Sequence, residues 1–200
     1  MIKSLPEILM TLCVVAYAVI YIVGIKRGKV KPILATRIFL LSAIILSALM
    51  NFRQSGIHGL LTNALNIVDI FATFSIFLVT VFHKNTRKKF TKFEKICLGV
   101  IILIFLVWII SGQNILAHLS IQAILVVAYL PTVIHLWKSN ENTESLGAWF
   151  LDFIASILGI VEPLKVLAFL PLIYVIRSII STFVVIILIL RIKWNNSQKK

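Results

Sequence analysis

Seven apolar runs, separated by short polar stretches, make up most of this chain: 5–24, 33–50, 59–82, 96–110, 114–137, 145–161 and 166–190. A helix needs about 20 apolar residues to cross a bilayer core, and each run reaches or approaches that length. The fourth is the shortest and depends on its flanks. The pattern predicts seven transmembrane α-helices, with no stretch left for a separate water-soluble domain, so residues 1–200 read as one all-α integral membrane domain. The first run has only Lys3 as a preceding positive side chain and no small-residue cleavage site after it, so it reads as a helix rather than a signal peptide.

The runs also repeat. Val14-Val-Ala-Tyr17 recurs as Val126-Val-Ala-Tyr129, and at the same offset Ile22 meets Ile134, Lys26 meets Lys138, Leu34 meets Leu146, and Ala43 meets Ala155. This divides the chain into a first triple-helix unit (1–83), a basic loop and linker helix (84–112) and a second triple-helix unit (113–200). Three helices are an odd number, so the intervening fourth restores the orientation of the second unit. The two units are then parallel, related by an axis along the membrane normal.

Composition supports the membrane reading: 60% of residues are hydrophobic and mean hydropathy is +1.04. The formal charge of +13 would suggest nucleic acid in a soluble protein, but its distribution points elsewhere. Fifteen cationic residues fall on one side, in the loops around Lys26–Lys31, Lys84–Lys95 and Lys138 and in the tail from Arg191; Lys3, Arg53 and Lys165 fall on the other. By the positive-inside rule the first group is cytoplasmic and the N-terminus lies outside. The basic loops would also attract anionic lipid headgroups. No groove-reading or stacking motif accompanies the charge, so no nucleic-acid partner is expected. The Ile-, Lys- and Asn-rich composition fits an AT-rich microbial genome, hence a bacterial plasma membrane. Cys13 and Cys97 lie in predicted spans without metal-ligand spacing and read as packing residues.

The stretch from Tyr129-Leu-Pro-Thr132 through Thr143-Glu-Ser145 to Trp149 resembles the SWEET and PQ-loop superfamily. Pro131-Thr132 stands where that family has Pro-Gln, and Thr143-Glu-Ser145 opens the sixth helix. In the first unit, Lys31-Pro-Ile-Leu-Ala-Thr-Arg37 resembles a Lys-Pro-x-x-x-Thr-Trp element, with Arg37 in place of Trp; the repeat offset sets Arg37 opposite Trp149. The resemblance implies a 3+1+3 plan of two parallel triple-helix bundles, alternating access between them, a hinge at Pro131, and Trp149 as a cavity-lining aromatic. Pro131 also has a plainer reading as a static kink, and Trp149 as an interfacial anchor.

Polar residues within the spans carry the candidate chemistry. Thr62, Asn66, Asp69 and Thr73 recur at helical spacing along the third span, and Tyr174, Arg177, Ser178 and Ser181 cluster on the seventh. Counted from the span starts, Asp69 and Arg177 both lie roughly 15 Å deep, where a charge costs about 2.5–3.5 kcal/mol and must face protein or water. One reading is a central solute site: Asp69 and Arg177 bind polar groups, Asn66, Tyr174 and Ser178 contribute hydrogen bonds, and Arg177 favours a solute with an anionic or carbonyl group. The other is a buried Asp69–Arg177 ion pair that fixes packing. Asp152 is a candidate proton-coupling carboxylate or a partner for Lys138. His118 reads as a packing residue, and Trp108 and Trp194 as belt residues.

No metal-ligand spacing, phosphate loop or nucleophile–base arrangement is present, so neither an enzyme nor a cofactor or metal is expected. The expectation is a transporter or facilitator of a small polar solute, sugar-like by resemblance, with nucleosides and small amino acids as further classes. A seven-helix receptor or accessory subunit that binds a peptide or partner protein without transport is the alternative, and a homo-oligomer is compatible with either.

Overall fold

A computed structural model describes residues 5–83, 90–111, 114–139 and 141–198, without the side chains at 54–55, 107–108, 111 and 114–118. The basic segment 84–89, residues 112–113, Trp108 and His118 therefore lie outside the described residues or side chains. The fold is all-helical: α1 (Leu5–Lys26), α2 (Leu34–Thr62), α3 (Ala64–Phe82), α4 (Lys92–Ser111), α5 (Asn114–Lys138), α6 (Leu146–Gly159), the short α7 (Val161–Lys165) and α8 (Phe169–Ser197). Among the described residues six segments are long and apolar enough to cross a membrane, one each in α1, α2, α3, α5 and α8 and one running from α6 through α7, as expected of a multi-pass membrane protein.

Three boundaries differ from the sequence reading, each for a local reason. The third span was expected from residue 59, but α2 continues to Thr62 and turns at the single residue Asn63. Thr62 therefore belongs to α2, where its hydroxyl donates to the His58 carbonyl at 2.9 Å. Gly56, at φ +58°, lets α2 change course beyond its membrane-crossing part. The sixth span breaks after Gly159 into α7, which contains Pro163 and the Lys165–Glu162 ion pair. The seventh starts at Phe169 rather than 166, after Leu167 turns through φ +49°.

Local signals account for the other starts. Thr91 and Glu94 form a reciprocal cap on α4: the Thr91 N–H donates to Oε2 of Glu94 at 2.7 Å and the Glu94 N–H to Oγ1 of Thr91 at 3.3 Å. Ser145 caps α6 by accepting from the Ala148 N–H at 3.3 Å.

Packing arranges six helices as a closed ring. α3 lies between α1 and α2, and α8 between α5 and α6. α1 packs against α6, and α2 against α5. Exchanging α1 with α5, α2 with α6 and α3 with α8 maps these six interfaces onto one another. α4 packs on α5, outside the ring. Small and hydroxylic residues let the two halves approach: Ala43, Ala128, Ala148 and Ala155 are fully buried, and Thr132 of α5 donates to Thr36 of α2 at 3.1 Å. Pro131, inside α5 and buried, adjoins that contact.

At the lysine-rich end, Gly24 accommodates the turn into the α1–α2 loop. The Val30 N–H donates to the Gly24 carbonyl at 3.1 Å, and a Cβ on Gly24 would lie 2.6 Å from Cγ2 of Val30. Val30 is buried, so it cannot swing into solvent. Gly24→Ala is expected to destabilise the purified protein by about 1–3 kcal/mol through overpacking. The Gly24→Ala/Val30→Ala double variant should recover most of the lost thermal stability; a double variant as unstable as the sum of both singles would refute the steric account.

Candidate functional site

The centre of the ring is a small polar cavity to which every ring helix contributes. Tyr17 comes from α1, Arg37 from α2, Asp69 and Thr73 from α3, Tyr129 from α5, Asp152 from α6, and Tyr174, Arg177 and Ser178 from α8. The space open to water centres is about 20 Å³, room for about one water. Tyr17 and Tyr129, the last letters of the repeated tetrapeptide, are partners under the helix exchange. Their rings flank Trp149, with centroids at 6.3 and 6.0 Å.

Two tyrosine–carboxylate hydrogen bonds cross between the halves of the ring. Near the lysine-rich end, the Tyr21 hydroxyl of α1 donates to Oε2 of Glu144, in the loop before α6, at 2.6 Å, and the Trp149 indole N–H donates to the same oxygen at 2.9 Å. The Lys31 N–H reinforces this end by donating to the Thr143 carbonyl at 2.9 Å. Towards the other end, the Tyr174 hydroxyl of α8 donates to Oδ2 of Asp69 on α3 at 2.8 Å. Asp69 and Tyr174 are each five residues into their helices, roughly 7.5 Å from the starts. They are level with one another.

A guanidinium stacks on each of these tyrosines. Cζ of Arg37 lies 4.3 Å from the Tyr21 ring centroid, and Cζ of Arg177 lies 4.8 Å from that of Tyr174. Arg37 Nη1 also donates to the Tyr17 hydroxyl at 3.3 Å, and Arg177 Nε to Oε1 of Gln122 at 3.2 Å. On each of these two guanidinium groups one buried donor remains without an acceptor among the described residues, Nε of Arg37 and Nη1 of Arg177. Each closure therefore repeats one motif: an arginine on a tyrosine face, with that hydroxyl holding a carboxylate from the opposite half.

This geometry changes several sequence expectations. Asp69 and Arg177 line one cavity, but they are not an ion pair; the carboxylate binds Tyr174 and the guanidinium binds Gln122. Arg177 lies eight residues into α8, roughly 12 Å along the helix, and so below the level of Asp69. Asn66 points to α2, where its amide donates to the Ile44 carbonyl at 3.4 Å, and it does not line the cavity. Trp149 is buried beneath Tyr17 and Tyr129 as a plug, with its N–H bound to Glu144; that position excludes an interfacial anchor. Asp152 lines the cavity, whereas Lys138 is exposed at the end of α5. Ser178 lines the cavity and shares a 2.9 Å hydrogen bond with Ser156. Sequence reasoning missed Tyr17, Tyr21, Arg37, Gln122, Tyr129 and Glu144 as site residues. The repeated tyrosine and the Arg37–Trp149 correspondence were the available signals.

Beyond the Tyr174–Asp69 level, a recess of about 310 Å³ opens between the end of α2 (Asn51, His58, Thr62) and the start of α8 (Phe169, Pro171). No group of three or more potential metal ligands occurs among the described residues.

No protein-family model, curated protein or solved structure matches this chain.

Double-mutant cycles on thermal stability in detergent test the two closures. Tyr174→Phe with Asp69→Ala, and Tyr21→Phe with Glu144→Ala, should each show a coupling of about 1–3 kcal/mol, the size of a buried hydrogen bond to a charged acceptor. The crossed pair Tyr174→Phe with Glu144→Ala should be additive within about 0.5 kcal/mol. Additivity in both direct pairs would remove the tyrosine–carboxylate contacts from the folded state.

Proposed function

We propose that this protein is a membrane transporter or facilitator of a small polar solute, working by alternating access between two triple-helix bundles, α1–α3 and α5–α8 without α4. The observation that carries this reading is the polar cavity held between two inter-bundle tyrosine–carboxylate closures. Breaking one while the other holds would open the cavity to one side at a time. α4 serves as the seventh crossing and the tether between bundles, and the lysine-rich end faces the cytoplasm, as its charge favours. The 3+1+3 order and the Pro131–Trp149 elements support a kinship with SWEET and PQ-loop transporters.

The cavity chemistry narrows the solute. Two guanidinium groups retain donors without acceptors, while tyrosine hydroxyls and the carboxyls of Asp69 and Asp152 accept hydrogen bonds. A polyhydroxylated or zwitterionic solute with a carbonyl or carboxylate matches both sets. The closed cavity holds about a water, so solute entry requires the bundles to separate. Pro131, beside the α2–α5 contact, acts as the hinge in this reading.

One observation favours the receptor alternative: the cavity contains two basic residues, Arg37 and Arg177, where capture of a peptide carboxylate needs a basic site.

The test combines binding with uptake. In a thermal-stability screen of sugars, nucleosides, amino acids and short peptides, a ligand at one hundred times its Kd stabilises the folded form by about 2.7 kcal/mol. We expect at least one small solute to stabilise the parent but not an Arg177→Ala/Asp69→Asn variant, and to enter liposomes containing the parent. In a Cys13→Ala/Cys97→Ala background, bridging His58→Cys of α2 to Phe169→Cys of α8 across the recess with a bifunctional methanethiosulfonate should stop uptake, and reduction should restore it. Stabilisation by a peptide with a free C-terminus, without uptake of any solute, would replace the transporter with the receptor.

A further inference from the structure

A groove of about 460 Å³ runs along the outside of the ring at its lysine-rich end, between the last turns of α1 and the loop that leads into α6. It is graded along its length. Val19, Ile20 and Val23 form its deeper part and are exposed on the outer face of α1, within the membrane-crossing segment Leu5–Lys26. Arg27 and Lys29 stand just beyond that segment, with Asn142, Glu144 and Ser145 on the facing wall. The turn that ends α1 sets both cations on the groove. Gly28, at φ +68°, turns the chain, and the Lys29 and Val30 N–H groups both donate to the Gly24 carbonyl, at 3.0 and 3.1 Å.

Arg27 and Lys29 are exposed and form no ion pair among the described residues. Among the described residues lining the groove Glu144 is the one carboxylate; it is buried, and one of its oxygens already holds Tyr21 and Trp149. On the same wall the Asn142 amide and the Ser145 hydroxyl each accept a backbone N–H, from Glu144 at 3.1 Å and Ala148 at 3.3 Å. That leaves their own protons for an oxygen in the groove. The groove thus presents hydrocarbon within the bilayer, then two cations and two polar donors at the level of the headgroups. A bare acyl chain leaves the cations unpaired, and a zwitterionic headgroup brings a cation of its own beside them. An anionic phospholipid matches both ends in their order.

We propose that this groove binds one anionic phospholipid of the adjoining leaflet, its phosphate held by Arg27 and Lys29 and an acyl chain laid along Val19, Ile20 and Val23. The two walls belong to different halves of the ring, α1 and its loop on one side and residues 142–145 on the other. The lipid therefore bridges the halves where Tyr21 meets Glu144 and the Lys31 N–H meets the Thr143 carbonyl. The site itself does not depend on transport. Its consequence, that an occupied groove holds the lysine-rich end shut, rests on the alternating-access reading.

Native mass spectrometry of the detergent-purified protein, titrated with dioleoyl phosphatidylglycerol and dioleoyl phosphatidylcholine, tests the site. Phosphatidylglycerol should bind saturably and roughly tenfold more tightly than phosphatidylcholine, with glycerol 3-phosphate, a head without chains, not measurably bound. Arg27→Gln/Lys29→Gln should weaken phosphatidylglycerol binding by roughly tenfold, and Val19→Trp, which fills the groove from an exposed position, should weaken it as well. Lys138→Gln/Lys193→Gln removes the same charge from exposed positions outside the groove and should leave binding nearly unchanged. Equal binding of the two lipids would overturn the role of the headgroup, and this comparison uses the parent protein. Equal losses from the two double variants would replace the groove with general surface attraction. Unchanged binding in Val19→Trp would overturn the path of the chain, and tight binding of glycerol 3-phosphate would replace the lipid with a soluble phosphate. Hydrogen exchange in nanodiscs of either lipid tests the bridge. Phosphatidylglycerol should slow exchange in residues 27–33 and 141–145 together, and slowing in one stretch alone would overturn it. None of these measurements uses a transported solute, so failure of this site and failure of the transport reading are read separately.

Discussion

Arginine stacked on tyrosine holds the interior of this protein together. Arg37 on Tyr21 and Arg177 on Tyr174 are cations buried inside the ring, where they line one cavity with Asp69 and Asp152. An isolated charge there costs several kcal/mol, and a desolvated cation–π contact returns about 2 kcal/mol or more. The stack also polarises the tyrosine. A hydroxyl on a ring facing a cation is a better donor, and in both places it donates to a carboxylate of the opposite bundle. Charge balance is thus reached through the ring rather than by direct contact, and the halves of the molecule are joined at the same stroke.

This arrangement bears on how the bundles can separate. A direct buried arginine–aspartate pair would cost about 3–5 kcal/mol to break by leaving two uncompensated charges. In the tyrosine-mediated form each arginine keeps contacts within its own bundle: Arg37 with Tyr21 and Tyr17, Arg177 with Tyr174 and Gln122. Each closure gives up one hydroxyl–carboxylate bond when the halves part, and the Glu144 closure gives up the Lys31–Thr143 bond as well. Alanines and the Thr132–Thr36 contact in the surrounding interface let the helices approach closely.

Much of the architecture was legible in the chain. Hydropathy located the six spans found among the described residues because a bilayer imposes a length on every crossing. The repeated Val-Val-Ala-Tyr marked Tyr17 and Tyr129, which the ring brings to the same cavity. Helix ends were less legible, since α2 runs past its apolar part and turns at one residue, Asn63. That error propagated: depths counted from the wrong starts put Asp69 level with Arg177, whereas its level partner is Tyr174. Charge also drew attention from aromatic residues. Arg37 looked like a departure from a motif, yet it occupies the second of two equivalent stacks. Asn66 shows the opposite failure, a polar residue on the expected stripe whose amide serves the α2 backbone. Periodicity assigns a residue to a face, and only packing decides whether that face meets a cavity or a neighbouring helix.

The two closures are alike in chemistry but unequal in strength, and the inequality gives the molecule a direction. Glu144 receives two donors, Tyr21 and Trp149, and the loop that carries it is tied to the α1–α2 loop by the Lys31–Thr143 bond. Trp149 adds a fully buried plug beneath Tyr17 and Tyr129. Asp69 receives one side-chain donor, Tyr174, and on that side a recess of about 310 Å³ already lies between α2 and α8. Opening the Asp69 end gives up one hydrogen bond between the halves, whereas opening the Glu144 end gives up two, Tyr21–Glu144 and Lys31–Thr143, and parts Tyr17 from the Trp149 indole. At about 1 kcal/mol for a typical net bond, the extra backbone bond makes the difference about 1 kcal/mol before the Tyr17–Trp149 contact is counted. Under the proposed alternating access, this asymmetry makes the end away from the lysine-rich loops the easier one to open.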